Sequence, residues 1–373
     1  MREKTHLKSV IIPAFLAAMV LSVAASNQAL GVTYKAIDLT PSGFTDAVAA
    51  GSSGTQQVGK GSGSATGGHA HALLWNGTAA SYIDLNPGGF VWSVAQGTNG
   101  TQQVGSGWGS TIGHWCHALL WSGTAASFVD LNPSGFDESE AWGTNGTQQV
   151  GCGWGSATSG AEHALLWSGN AASCVDLNPS GFYVSAAWGT SGTQQVGSGN
   201  ISPSGGNDHA LLWSGSAASY IDLNPSGFDG SEAYGISGNQ QVGSGYNSGG
   251  GIHALLWSGT AASCVDLNPG GFDESEALGT NGTQQVGEGY RSAAGGQDHA
   301  LLWSGSADSF IDLHQFLPTG FVESVAWTVD SYGNIAGYAA DSSGNSHAFL
   351  WQPIPEPATL FLLGLGSLLL RKR

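Results

Sequence analysis

Ser, His and Asp, the residue types of an acyl-transfer triad, recur throughout this 373-residue chain. His71, His117, His163, His209, His253 and His299 each open the string His-Ala-Leu-Leu-Trp, and His347 opens His-Ala-Phe-Leu-Trp. Asp38, Asp84, Asp130, Asp176, Asp222, Asp266 and Asp312 each stand directly before a leucine. A triad is one asymmetric constellation, whereas a residue that returns seven times with its whole neighbourhood serves a seven-fold purpose. The expectation is structural: each His bonds a neighbouring strand or turn, and each Asp holds an Asx-type turn ahead of Asn-Pro. His69, His114 and His314 fall outside the pattern, with no partner that the sequence identifies.

Carboxylates cluster at Asp137-Glu138-x-Glu140 and again at Asp273-Glu274-x-Glu276. Paired carboxylates serve glycoside hydrolysis, and carboxylates in loops bind Ca²⁺. Neither cluster has EF-hand spacing or a Gly-Gly-x-Gly-x-Asp nonapeptide, and both read as solvated acidic loops. No catalytic residue, cofactor or metal ligand is assigned, with Ca²⁺ at these loops as the alternative. The Gly-x-Gly strings read as loops between strands, with no helix to receive a phosphate. Of four cysteines, Cys174 and Cys264 share one repeat position, filled elsewhere by Tyr or Phe, and read as buried apolar thiols. Cys116 and Cys152 are candidates for a bridge between neighbouring repeats, and no Cys-x-x-Cys spacing occurs.

The elements that must position these residues follow from the period. Copies of the His-Ala-Leu/Phe-Leu-Trp string lie 44 to 48 residues apart, and a unit that short cannot bury a core alone. In the unit from Tyr82 to Trp121, residues 81–85 form a β-rich run ended by Asn86-Pro87, and residues 90–97 form a second. Thr98-Asn99-Gly100-Thr101 signals a hairpin, Gln102-Gln103-Val104-Gly105 begins a third strand, and residues 117–121 make the fourth. Asn-Gly-Thr at Asn76, Asn99, Asn145 and Asn281 also fits a glycosylation acceptor, but the turn reading is preferred. Four short strands per unit describe a propeller blade. Seven Asp-Leu strands, the first with no Trp-ended strand before it, match seven Trp-ended strands, the last with no Asp-Leu strand after it. The first and last strands can therefore share one sheet and close a ring without free edges. The expectation is an all-β, seven-bladed β-propeller of about 46-residue four-stranded repeats, with a β-solenoid as the alternative.

Within so uniform a repeat the informative positions are those that vary. One column reads Ala50, Gln96, Trp142, Trp188, Tyr234, Leu278 and Trp327; another reads Ser62, Trp108, Trp154, Asn200, Tyr246 and Tyr290, with Trp115 near Trp108. Trp108, Trp115, Trp142, Trp154, Trp188, Tyr234, Tyr246 and Tyr290 are the candidate ligand contacts, since aromatic faces stack on sugar rings. Packing between blades is the competing role.

Charge excludes one class of partner. Residues 32–352 carry only Lys35, Lys60 and Arg291 against 24 acidic residues, so there is no cationic footprint for nucleic acid. The remaining basic residues sit in the tails. Residues 1–9 are basic, 10–23 apolar, and small residues follow, which is the pattern of a secretory signal peptide over 1–31. At the other end come Pro355-Glu356-Pro357, a 13-residue apolar segment and Arg371-Lys372-Arg373. This order closely resembles the PEP-CTERM sorting signal of bacterial surface proteins. The resemblance implies processing by an exosortase-type enzyme, transient membrane association through the apolar segment (a transmembrane helix), and delivery to an envelope rich in exopolysaccharide; a plain C-terminal anchor is the alternative. Residues 34–351 resemble the extracellular HAF repeat family, named for the triplet at His347-Ala348-Phe349, which implies an exported repeat protein and supplies no catalytic residues.

The domain organisation expected is a signal peptide (1–31), a seven-repeat propeller (32–352) and a sorting tail (353–373). The function expected is that of an exported, surface-sorted, non-catalytic protein that binds extracellular polysaccharide or a partner envelope protein through propeller loops. A structural coat or spacer and a carbohydrate-active enzyme with its site in the central channel are the alternatives. An asymmetric pair of perturbed carboxylates in the channel would favour the last.

Overall fold

The computed structural model describes residues 33–354, apart from 203–205, 248, 293 and 294. The expected signal peptide and the sorting residues Pro355, Glu356, Pro357, Arg371, Lys372 and Arg373 lie outside the described residues. No helix among the described residues is long and apolar enough to cross a membrane.

Seven four-stranded antiparallel sheets make up the body of the chain. In the second blade the strands run Phe90–Thr98, Gln103–Gly109, Gly113–Trp121 and Val129–Asp130, paired in that order from the channel outward. Local chemistry sets the turns. At the first hairpin Asn99 Oδ1 accepts from the amides of Thr101 (3.1 Å) and Gln102 (2.8 Å), and Gly100 supplies φ 94°. A 3₁₀ turn at Ala125–Ser127, tied by Ser127 Oγ to the Thr124 carbonyl at 2.6 Å, leads into the two-residue outer strand.

The blade boundary differs from the sequence unit. Ile83–Asp84 pairs with His71–Trp75, with Leu73 opposite Asp84, so each Asp-Leu strand belongs to the blade before the one to which the repeat assigned it. The segment between them is too short to do anything but double back, whereas Asn86-Pro87-Gly88-Gly89 carries the chain across to the next inner strand. The Gly-x-Gly strings are also not loops. Gly105 and Gly107 lie inside the second strand, because a Cβ at Gly105 would overlap the carbonyl oxygen of Val94 on the inner strand.

The core sits between blades. Leu119 and Trp121 pack against Val58, Ala72 and Leu74 of the preceding blade. Ala118 and Leu120, on the opposite face of the same strand, pack against Leu165 and Trp167 of the following one. All seven Trp of the repeated string are fully buried. Each such strand thus contributes to two cores, as its alternation predicts.

Strand Thr33–Asp38 is the outermost strand of the seventh blade, beside Ser346–Ile354. Closure uses the same groups as any other blade: Leu39 N donates to Ala348 O (2.8 Å), and His347 Nδ1 meets Asp38 Oδ2 at 3.0 Å. A second latch joins the hairpin ends, where Gly54 N donates to the buried Asp330 carboxylate at 2.8 Å. A ring with a mixed last blade excludes the solenoid.

Two outcomes are expected. Asp38→Ala removes a latch bond and a turn cap together, and should lower the unfolding free energy by about 1–3 kcal/mol in urea. Deleting residues 33–39 should add edge-to-edge dimers in sedimentation. The indole N–H groups of Trp75, Trp121, Trp167, Trp213, Trp257 and Trp303 have no partner, whereas that of Trp351 donates to Leu313 O at 3.2 Å. Trp351→Phe should therefore cost about 1 kcal/mol more than Trp121→Phe in the same assay.

Candidate functional site: the central channel

The seven inner strands share one irregularity, a register shift at a single extra residue. That residue is Ala50, Gln96, Trp142, Trp188, Tyr234, Leu278 or Trp327 in successive blades. A β-bulge turns its extra side chain out of the regular pleat, and here all seven line one cavity of about 580 Å³. The first variable column of the sequence is therefore the channel wall. It is lopsided. Trp142 and Trp188 have ring centroids 6.1 Å apart, and Trp188 and Tyr234 5.1 Å, which makes a continuous aromatic arc across three blades.

The second column goes elsewhere. Trp108 and Trp154 lie opposite Trp92 and Glu138 near the starts of the inner strands, four residues from the bulges and away from the hairpins. Trp115 of the second blade reaches Trp154 of the third at 5.6 Å, edge to face. Trp108 is 37% and Trp115 52% exposed, while Tyr246 and Tyr290 are half-buried on the strands Gln240–Asn247 and Gln285–Arg291. The eight candidate aromatics form two groups, not one rim, and they stand on strands rather than in loops.

The acidic clusters are likewise not solvated loops. Glu138–Thr144 and Glu274–Thr280 are inner strands, which leaves only Asp137 and Asp273 in the turns. Alternation places Glu140 and Glu276 on equivalent faces of their strands, and Glu276 lines the channel cavity. Trp142 Nε1 donates to Glu140 at 3.2 Å, and Tyr234 Oη donates to Glu232 at 2.8 Å. Burial raises Glu140, Glu162, Glu232, Glu276 and Asp298 above the usual carboxylate range. Glu288 is pushed up to about 8, by burial first and then by Asp298, Glu276 and Glu323. Glu288 is the direct cross-strand partner of Glu276, and both line the cavity. Glu288 stands in a column, Lys60, Ser106, Cys152, Ser198, Ser244, Glu288 and Tyr338, that is as variable in the sequence as the two aromatic columns. Among the described residues no group of three or more His, Cys, Asp or Glu converges as a metal site.

The repeated His and Asp find each other. His117 Nδ1 lies 2.8 Å from Asp130 Oδ2, while Asp130 Oδ1 caps Asn132 N at 2.8 Å. Asn132 Nδ2 faces His117 Nε2 at 3.3 Å, so Nε2 accepts and Nδ1 donates. Ser139 Oγ donates to Asn132 and accepts from Ala118 N, at 2.7 and 3.1 Å, which carries the network into the next blade. In the sixth blade His314 takes the Asn position, stacks on His299 at 4.2 Å and meets Ser324 Oγ at 2.9 Å. These are positioning networks, as the repetition implied. The four cysteines are free, so the Cys116–Cys152 bridge is not formed. Burial pushes Cys116, Cys174 and Cys264 up to about 12 and Cys152 well above its usual value, which makes them poor nucleophiles.

Residues 353–373 match the PEP-CTERM protein-sorting motif. Such a motif marks a protein for exosortase processing, export and surface sorting in bacteria. No curated protein matches the chain in sequence. Among solved structures the chain is similar to the β-propeller domain of the Trilobed protease from Pyrococcus furiosus, with a TM-score of 0.55 and 7% identity, over 84% of this chain and 97% of that one. That domain is described as having an open velcro topology, whereas here the last sheet combines both ends of the propeller. A puromycin-hydrolyzing peptidase from Mycobacterium tuberculosis (TM-score 0.49, 10% identity, 84% of this chain and 52% of that one) and TolB from Acinetobacter baumannii (0.42, 10%, 85% and 66%) are more distant in shape. These likenesses establish the propeller fold alone.

A pH dependence follows from Glu288. Between its ordinary value of 4.5 and its folded value of about 8, the native state holds a proton that the unfolded chain has released, so rising pH favours unfolding. Stability should fall across that window by about 2–4 kcal/mol on account of this group, with the other raised carboxylates adding in the same direction. Urea titrations at pH 5 and pH 8 should show Glu288→Gln matching the wild type at the lower pH and exceeding it at the higher.

Proposed function

We propose that this protein is a surface-sorted, non-catalytic propeller that binds extracellular polysaccharide through its two aromatic groups. The observation that carries this reading is the uneven placement of aromatic side chains on an otherwise copied scaffold. Blade packing is served identically in all seven repeats by the buried Trp of the repeated string. Trp108 and Trp115 lie outside that repeated packing and stay partly exposed, although Trp115 touches Trp154 of the next blade, and exposed aromatic rings can stack on pyranoses. The sorting motif and the resemblance of residues 34–351 to extracellular HAF repeats support an envelope setting, with exopolysaccharide or an envelope protein as the partner. The propeller boundaries proposed are residues 32–352, between a signal peptide and the sorting tail.

One observation favours a second reading. Glu276 and Glu288 form the asymmetric, perturbed carboxylate pair in the channel that a glycoside hydrolase would need. A glycan-array and exopolysaccharide screen of the full chain tests both. Saturable binding reduced about tenfold or more by Trp108→Ala or Trp115→Ala is expected, with no new reducing ends. Absence of binding to every glycan would move the protein to the coat or spacer class. Release of reducing ends that Glu288→Gln abolishes would make it an enzyme.

A further inference from the structure

The channel cavity has features that neither packing nor a seven-fold scaffold accounts for. Trp142, Trp188 and Tyr234 wall one side of it. Each is the extra residue of a bulge, so each side chain is aimed inward at a cost in strand regularity. Of the four equivalent positions elsewhere, three hold Ala50, Gln96 and Leu278 without loss of the bulge, and the fourth holds Trp327. The fold therefore needs the bulge but not the aromatic ring.

A second feature concerns a hydroxyl. At the hairpin end of the channel, Thr98, Thr144, Thr190 and Thr280 donate their hydroxyls to the carbonyls of Gln102, Gln148, Gln194 and Gln284, at 3.0, 3.1, 3.3 and 2.9 Å. Ser52 holds the same position in the first blade and lines the same cavity, only 8% exposed, yet its Oγ has no partner. A buried hydroxyl left unmatched costs about 1–3 kcal/mol, and a ligand with polar groups would satisfy it.

The charge of the wall then selects among ligands. No Lys or Arg lines the cavity, whereas Glu276 and Glu288 do. The lone Arg of residues 32–352, Arg291, is held over the Phe272 ring at 3.6 Å and beside Asp312 at 3.8 Å. Anionic sugars would find no counter-charge. A cavity of about 580 Å³ falls in the range of small-ligand pockets, which suits one or two pyranose rings.

We propose that the channel is a charge-selective site for an amino sugar, one pyranose bearing a primary ammonium, with its ring face on the Trp142–Trp188–Tyr234 arc and its ammonium toward Glu276 and Glu288. This rests on the carbohydrate reading above and narrows it to polysaccharides with free amino groups. Glu288 is surrounded by Glu276, Asp298 and Glu323 and is held protonated near neutrality. Arrival of a cation favours its ionised form, so binding at pH 7 expels a proton into the buffer.

Calorimetry of the full chain tests this with three tetrasaccharides, of glucosamine, N-acetylglucosamine and glucose, and with tetramethylammonium. The glucosamine tetramer is expected to bind about tenfold tighter than either neutral sugar, with heats that vary with buffer ionisation enthalpy as proton release requires. Glu276→Gln and Glu288→Gln should each abolish that preference. Trp188→Ala should weaken binding of the glucosamine tetramer, and Trp188→Phe should largely retain it, with near-UV circular dichroism confirming an intact ring of blades. Equal affinity for the three sugars, or a preference that survives both Glu→Gln changes, overturns the amino-sugar site and leaves the carbohydrate reading standing. Tetramethylammonium binding as tightly as the glucosamine tetramer overturns it in favour of a simple cation site. No binding to any of the three sugars overturns the amino-sugar site, and the wider glycan screen then decides the carbohydrate reading.

Discussion

Every blade depends on burying one strand in two cores at once. Trp121 completes the core behind its blade and Leu120 the core ahead of it, so removing a blade opens two interfaces. Large-to-small changes at a fully buried Trp cost about 3–5 kcal/mol, and seven such residues repeat around the ring. No single blade can hold its shape alone under that constraint. Where the first and last strands meet, the contacts of Asp38 with His347 and of Leu39 with Ala348 reproduce those of an interior blade, so the closing sheet has no exposed edge.

The His–Asp–Asn–Ser network serves the same end by polar means. It ties the third strand of one blade to its own outer strand and, through Ser139, to the inner strand of the next. Where the chain departs from the repeat, a substitute keeps the bond: His314 stands for Asn in the sixth blade, and Thr40 Oγ1 accepts from Ala348 N at the closure. Retention of the bond through changes of residue type marks it as a requirement of assembly rather than of chemistry.

Period, blade number and closure were legible in the sequence because they depend only on spacing and on one unmatched strand at each end. The blade boundary was not. Repetition fixes a unit's length but leaves open where the unit starts, and hydrogen-bond pairing assigned Ile83–Asp84 backward. Gly107 reads as a loop residue but lies in the second strand against the Trp92 carbonyl, because the composition of a loop and of a close backbone crossing is the same. The roles of Trp142 and Glu140 were half legible. The Trp142 column stood out by variation and Glu140 by its acidic cluster, but a bulge turns the tryptophan into the channel, and no periodicity announces a bulge. Glu276 and Glu288 are 12 residues apart in the chain and opposite each other only through the register of the first hairpin.

That pair carries a cost to the fold. Like charges directly opposite on neighbouring strands are destabilising, and burial adds to the cost by disfavouring ionisation. The second blade shows that the scaffold has no need of them, since Val94 and Ser106 fill the same two positions there. Lys60 in the first blade and Tyr338 in the seventh would each relieve the repulsion if placed opposite Glu276, yet the sixth blade carries a second carboxylate instead. A fold copied seven times has several solutions to hand for one packing problem, and the sixth blade uses the one that sets two carboxyl groups opposite each other. A compensating partner in the channel would offset a cost of this kind, and the aromatic arc and the unmatched Ser52 hydroxyl line the same cavity.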